Sequence, residues 1–164
     1  MSSNTPVICR KVCLKTIIPV RHEVLRPGLP LSSARFVSDD HPMARHWAAF
    51  PAAAPDGKAT GCLSLHPELP DEAILVPSFA NPKSGWRLRG MAVLPKWQGL
   101  GVGRKILQAS LEDLRFQTDH SGLFVWCNAR EKAVPFYRKN GFTTHGQRFE
   151  IPGIGPHFFM YRPL

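Results

Sequence analysis

"MAVLPKWQGLGVGRKIL" (Met91–Leu107) decides how this chain is read. It starts extended and apolar, passes three glycines in alternate positions (Gly99, Gly101 and Gly103), and then turns basic and periodic. Glycine tolerates positive φ and lets a ligand approach the backbone, at an entropic cost that needs a reason. Just before a helix the reason is commonly a phosphate, because the first backbone N–H groups lack intrahelical partners and the macrodipole favours an anion there.

Working outward, "WRLRGMAVL" (Trp86–Leu94) reads as a strand with Gly90 at a bulge, and Ile106, Leu107, Leu111 and Leu114 recur at helical spacing until "TDHSG" (118–122) ends the pattern. "LFVWC" (Leu123–Cys127) has the character of a strand buried on both faces. "KAVPFYRKNG" (Lys132–Gly141) predicts a short helix, with Pro135 in its first turn and Gly141 as its stop. "FTTHGQRFEI" and "HFFMYRPL" read as two last strands joined by "PGIGP" (Pro152–Pro156). Upstream the text is less distinct. "VICRKVCLKTI" (Val7–Ile17) alternates like a strand, "PVRHEVL" (Pro19–Leu25) predicts a short helix ended by Pro27 and Gly28, and "ARHWAAF" (Ala44–Phe50) and "KATGCLSL" (Lys58–Leu65) predict strands.

At 164 residues and 43% hydrophobic, the chain suits a single domain over 1–164. Pro19 stops the apolar run at Ile17 and Ile18, and nothing approaches a membrane span, so the expectation is a soluble, cytoplasmic protein with no membrane partner. Cys9, Cys13, Cys62 and Cys127 form no C-x-x-C pair, which suits reduced thiols better than a disulfide frame or a metal site; no metal is expected. The net charge of +9 is uneven: residues 1–80 hold 8 Lys/Arg against 7 Asp/Glu, and residues 81–164 hold 13 against 5. A polyanionic ligand or a solvated basic face would each account for that surplus.

A dinucleotide fingerprint fails in both registers, since Ile106 or Arg104 stands where its last glycine belongs. A Walker A loop fails because Gly103 is followed by Arg104 and Lys105, not Lys and Ser/Thr. What stands is Gln98-x-x-Gly101-x-Gly103 between a strand and a basic, amphipathic helix. This segment resembles the acetyl-CoA pyrophosphate loop of the GNAT superfamily of N-acetyltransferases, and "FYRKNGF" (Phe136–Phe142) is similar to that superfamily's second signature. The resemblance covers residues 86–164 well; before them, "RHEVLRPG" (Arg21–Gly28) looks like the start of a less characterised branch.

The resemblance implies an α/β (α+β) fold: a mixed, twisted sheet of six to seven strands with helices on both faces, splayed between its two central strands around Val93 and Val125. It implies acetyl-CoA as co-substrate, with the backbone of Gln98, Gly99, Leu100, Gly101, Val102, Gly103 and Arg104 facing the pyrophosphate. Met91 and Val93 would bond the pantetheine arm, the Val93 N–H would polarise the acetyl carbonyl, and Arg104 and Lys105 would add charge or simply be solvated. Tyr137 matches the family's general acid, its alternative being an aromatic that packs on the core. Phe136 reads as core and, by the resemblance, as a neighbour of the coenzyme.

No base announces itself: His46, Glu23, Glu150 and His157 are candidates, with His157 and Glu150 ahead because the last hairpin lines the acceptor side in related folds. The family often places Asn three residues before the alanine that opens the signature helix. Arg130 stands there instead, where it would meet phosphate or cap the strand, while Asn128 would reach the pantetheine. The implied reaction is acetyl transfer to a primary amine, of a small molecule or a peptide, by direct attack in a ternary complex. Two other classes compete: a non-catalytic acyl-CoA sensor of the same fold, and a basic nucleic-acid module, which lacks an RNP-type aromatic run, zinc spacing or a helix-turn-helix. No nucleic-acid partner is therefore expected, and a homodimer is left open.

Overall fold

The alternation read at the N-terminus breaks at Cys13. In the computed structural model, which describes residues 6–71, 84–117 and 122–164, strand β1 covers Val7–Val12 and helix α1 covers Leu14–Leu25. The strand read through Ile17 is thus too long, and the helix begins five residues before Pro19. Proline at that depth removes one helical hydrogen bond, to the Lys15 carbonyl. Tertiary packing offsets this: Ile17 and Val20 lie on one face and bury against Ala48, Phe50, Ala59, Cys62 and Ala92. Burying Ile17 completely is worth about 1.5–3 kcal/mol.

The remaining elements follow as β2 (Arg45–Pro51), β3 (Gly61–Pro67), β4 (Ser84–Val93), α2 (Val102–Gln117), β5 (Leu123–Arg130), α3 (Val134–Lys139), β6 (Thr143–Ile151) and β7 (Gly155–Pro163). Among the described residues the strands form one seven-stranded sheet in the order β1-β2-β3-β4-β5-β7-β6. It is mixed: β4 runs parallel to β5, whereas β1–β2, β2–β3, β5–β7 and β6–β7 are antiparallel. The predicted helix end at 118–121 and most of the proline-rich stretch before β4 lie outside the described residues.

The chain divides into two compact units. Described residues up to His66 together with Arg89–Phe116 form the first, and those of Pro67–Leu88 and Gln117–Leu164 form the second. In the first, α1 and α2 cover opposite faces. Cys62 faces the α1 cluster, while a Cβ added at the preceding Gly61 would meet Ile106 and Val102 of α2. Neighbouring residues of a strand point to opposite faces, so the two helices flank β3.

In the second unit, β5 is buried over Leu123–Cys127, as its continuous apolar run predicts. The β4–β5 ladder pairs the first four residues of each strand, from Ser84 with Leu123 to Arg87 with Trp126. Val125, one of the two residues around which a splay was expected, lies inside the paired part, opposite Trp86. On β6 the register with β7 shifts between His145 and Phe149, where Gly146 takes φ +74° and supplies the bulge. All four cysteines are free thiols.

Candidate active site

The glycine loop lies wholly in the first unit. After β4, Pro95–Trp97 make one 3₁₀ turn, and the chain enters α2 through Gly99 (φ +75°) and Gly101 (φ +79°). Side chains rarely adopt this conformation, and a Cβ at either position would meet nothing within 4 Å. Backbone shape, not crowding inside the protein, thus requires glycine here. Gly103 is already inside α2 and has no positive φ. The first helical bond runs from the Lys105 N–H to the Gly101 carbonyl (3.1 Å), which leaves the N–H groups of Val102, Gly103 and Arg104 without an intrahelical acceptor. Arg104 is exposed and Lys105 half-buried. Such donors, with the positive end of a sixteen-residue helix behind them, suit a pyrophosphate.

Gln98 differs from expectation. Its backbone N–H bonds the Pro95 carbonyl (3.2 Å), and its side-chain amide donates to the Val93 carbonyl (2.8 Å), so it braces the strand end instead of offering an N–H to a ligand. The Leu94 N–H bonds the Thr60 carbonyl (2.9 Å), beside β3. Backbone groups alternate sides along an extended chain, so the N–H of Val93 points away from β3.

Tyr137, on α3, is 6% exposed and sits edge-on to Phe136 and Phe142, each with ring centroids 5.3 Å away. Phe136 is half-buried and does not join the fully buried core. The Tyr137 hydroxyl bonds the thiol of Cys127 on β5, and burial followed by that thiol pushes its pKa well above 10, so the phenol holds its proton at neutral pH. Burial likewise pushes the Cys127 thiol up to about 12.

The base candidates separate. His157, on β7, is 4% exposed, and its Nδ1 lies 2.7 Å from the Gly155 carbonyl. A carbonyl only accepts, so Nδ1 is the donor, and the tautomer that keeps this contact has its lone pair on Nε2. Glu150 is exposed and paired with Arg148 (2.9 Å), and Glu23 is exposed on α1. His157 pairs in register with Arg130, and Phe159 with Asn128. Asn128 and Arg130 share one face of β5, while Cys127, with Tyr137 above it, occupies the other. Tyr137 and His157 are consequently on opposite faces of the second unit's strands.

A polar cluster in the first unit escaped sequence reasoning. Arg21 of α1 is completely buried and forms a two-point ion pair with Asp39 (2.6 and 3.2 Å). It also donates to the Ala34 carbonyl (2.9 Å) and to the Ser64 hydroxyl (2.6 Å). Ser64 continues to Nδ1 of His46 (2.8 Å), whose pKa is lowered chiefly by burial, so His46 serves this network. The available signal was Ile17, Val20, Arg21 and Val24, a helical apolar stripe with one charge in it. Among the described residues no group of three or more His, Cys, Asp or Glu is placed to hold a metal, and no helix is long and apolar enough to cross a membrane.

Comparison with known proteins adds four findings. A family model described as the acetyltransferase (GNAT) domain matches residues 70–160. An uncharacterised N-acetyltransferase of Bacillus subtilis (strain 168), YitI, is 29% identical over 156 residues, covering 94% of this chain and 95% of YitI. Among solved structures, FeeM, an N-acyl amino acid synthase from uncultured soil microbes, is similar with a TM-score of 0.71 at 14% identity, covering 96% of this chain and 91% of FeeM. An aminoglycoside 6′-N-acetyltransferase complexed with coenzyme A gives a TM-score of 0.67 at 13% identity, over 94% and 96% of the two chains.

Proposed function

This chain belongs to the GNAT acetyltransferase family, and from that premise we propose that it is a cytoplasmic, single-domain enzyme that transfers the acetyl group of acetyl-CoA to a primary amine. The observation that carries the reading is the loop: two left-handed glycines with open space above them lead into a helix whose first N–H groups are uncommitted within it. Gly99 to Arg104 would hold the pyrophosphate, and Met91 and Val93 the pantetheine, with Asn128 and Phe136 as further coenzyme contacts. The solved relative that carries coenzyme A supports the choice of ligand.

In this mechanism the neutral amine attacks the thioester carbonyl within a ternary complex, the C–N bond forms and the C–S bond breaks. The Val93 N–H stabilises the oxygen that gains charge. Tyr137, which burial keeps in its protonated form, gives its proton to the departing sulfur as that sulfur takes up charge. His157, with its Nε2 lone pair fixed by the Gly155 contact, receives the amine proton directly or through water. The acceptor is a small-molecule or peptide amine. Release of free thiol from acetyl-CoA, screened over amine acceptors, tests this reading. Tight coenzyme binding with no turnover on any amine would replace it with a sensor.

A further inference from the structure

Strand β4 kinks at Gly90, one residue before Met91, with φ +60°. What lies against the kink is the guanidinium of Arg21. A Cβ at Gly90 would stand 2.4 Å from Nε, 2.9 Å from Cζ and 3.1 Å from Cδ of that side chain, so no residue but glycine fits while Arg21 holds its place. Arg21 cannot easily yield. Asp39 grips it at two points, Ser64 and the Ala34 carbonyl take further N–H groups, and the ring of Phe36 lies 4.4 Å from its Cζ. Nε itself has no hydrogen-bond partner, so this part of the guanidinium contributes shape against the backbone. The Gly90 carbonyl is held from a second side, by the Cys62 thiol at 3.5 Å.

Three residues further on, Gln98 holds the Val93 carbonyl. The segment Met91–Val93 is therefore fixed at both ends, by a buried arginine before it and a side-chain amide after it. We propose that Arg21 is a positioning residue for the thioester arm: seated on Gly90 and locked by Asp39, it sets the kink that aims the Met91–Val93 backbone. The inference rests on the acetyl-CoA reading above, and it assigns Arg21 no contact with substrate.

Two probes separate positioning from folding. Coenzyme A needs both the glycine loop and the strand, whereas 3′-phosphoadenosine 5′-diphosphate, which lacks the pantetheine arm, needs the loop alone. Calorimetry on the full chain compares wild type with Arg21→Met, Arg21→Lys and Gly90→Ala, each first checked for a cooperative thermal transition. Loss of one or two strand-type hydrogen bonds predicts about a tenfold weaker coenzyme A affinity in the folded variants, with the fragment's affinity within about twofold of wild type. Equal loss for both probes, or no loss for either, overturns the proposal. So does failure of all three variants to fold, because the contact then serves the fold as a whole. Wild-type protein that binds neither probe refutes the loop assignment itself and removes this proposal's basis; binding of the fragment with unchanged coenzyme A affinity in the variants refutes only the role of Arg21.

Discussion

Gly101→Val tests the loop because the structure separates its two costs. No atom lies within 4 Å of the Cβ position, so the added Cβ has open space in the free protein, and the stability cost argued from the structure is that of a β-branched residue at φ +79°. That strain is about 1–2 kcal/mol, which for a chain of this size lowers Tm by about 2–8 °C. Binding should suffer far more. Whether valine keeps the left-handed turn and blocks the ligand's approach, or relaxes it and swings the N–H groups away, the pyrophosphate loses charge-assisted hydrogen bonds worth about 1.5–3 kcal/mol each. Two such bonds correspond to an affinity loss of about 100-fold or more. Gly28→Val is the control, since Gly28 has φ +78° and equally open space but follows α1, outside the loop. Calorimetric titration of acetyl-CoA and a thermal melt of each variant give both numbers. Wild-type affinity in folded Gly101→Val, or an equal loss in Gly28→Val, would refute the reasoning.

Tyr137→Phe keeps the ring between Phe136 and Phe142 and removes the hydroxyl, so coenzyme affinity should hold while single-turnover acetyl transfer slows by about 100-fold; equal rates reduce Tyr137 to packing. Because its phenol is raised well above 10, it stays protonated through the neutral range. The rate profile below pH 9 should therefore keep its shape in Tyr137→Phe, and a limb that vanishes with the hydroxyl would contradict the assignment. Asp39→Ala leaves the Arg21 charge buried without its partner and should cost about 3–5 kcal/mol in urea unfolding, largely recovered in the Arg21→Met/Asp39→Ala double variant. Cys62 and Cys127, both raised to about 12 by burial, favour the protonated folded state. Their contribution is complete below the unfolded thiol's pKa near 9 and disappears as pH rises towards 12, so Tm should fall across that window. Mass spectrometry after brief alkylation at pH 8 should find Cys13, exposed and lowered chiefly by its hydrogen bond with Thr16, modified first, and Cys62 and Cys127 unmodified until unfolding.

The second half of the chain was legible because its signals are local. Gly99 and Gly101 mark a turn that only glycine makes easily, Leu111 and Leu114 keep helical spacing, and Gly141 takes the left-handed stop predicted for it. Around α1 the local signals conflict. Thr16, Ile17 and Ile18 favour a strand and Pro19 opposes a helix, yet burial of Ile17 and Val20 outweighs both. The motif letters also hid roles that depend on distant partners. Gln98 was recognisable as part of the loop, but its bond to Val93 is a product of the 3₁₀ turn between them. That Tyr137 and His157 lie on opposite strand faces follows from the β5–β7 register, which no local pattern encodes.

The buried arginine also bears on the order in which the chain assembles. Its partners lie 18 and 43 residues away in Asp39 and Ser64, and the surface it rests on, at Gly90, arrives later still. Stripping water from a guanidinium before those partners are in place is steeply unfavourable. Desolvation of Arg21 therefore belongs to the late, native side of the folding barrier. Variants that weaken the ion pair should leave the refolding rate nearly unchanged and accelerate unfolding, which makes this one cluster a determinant of how long the native state lasts.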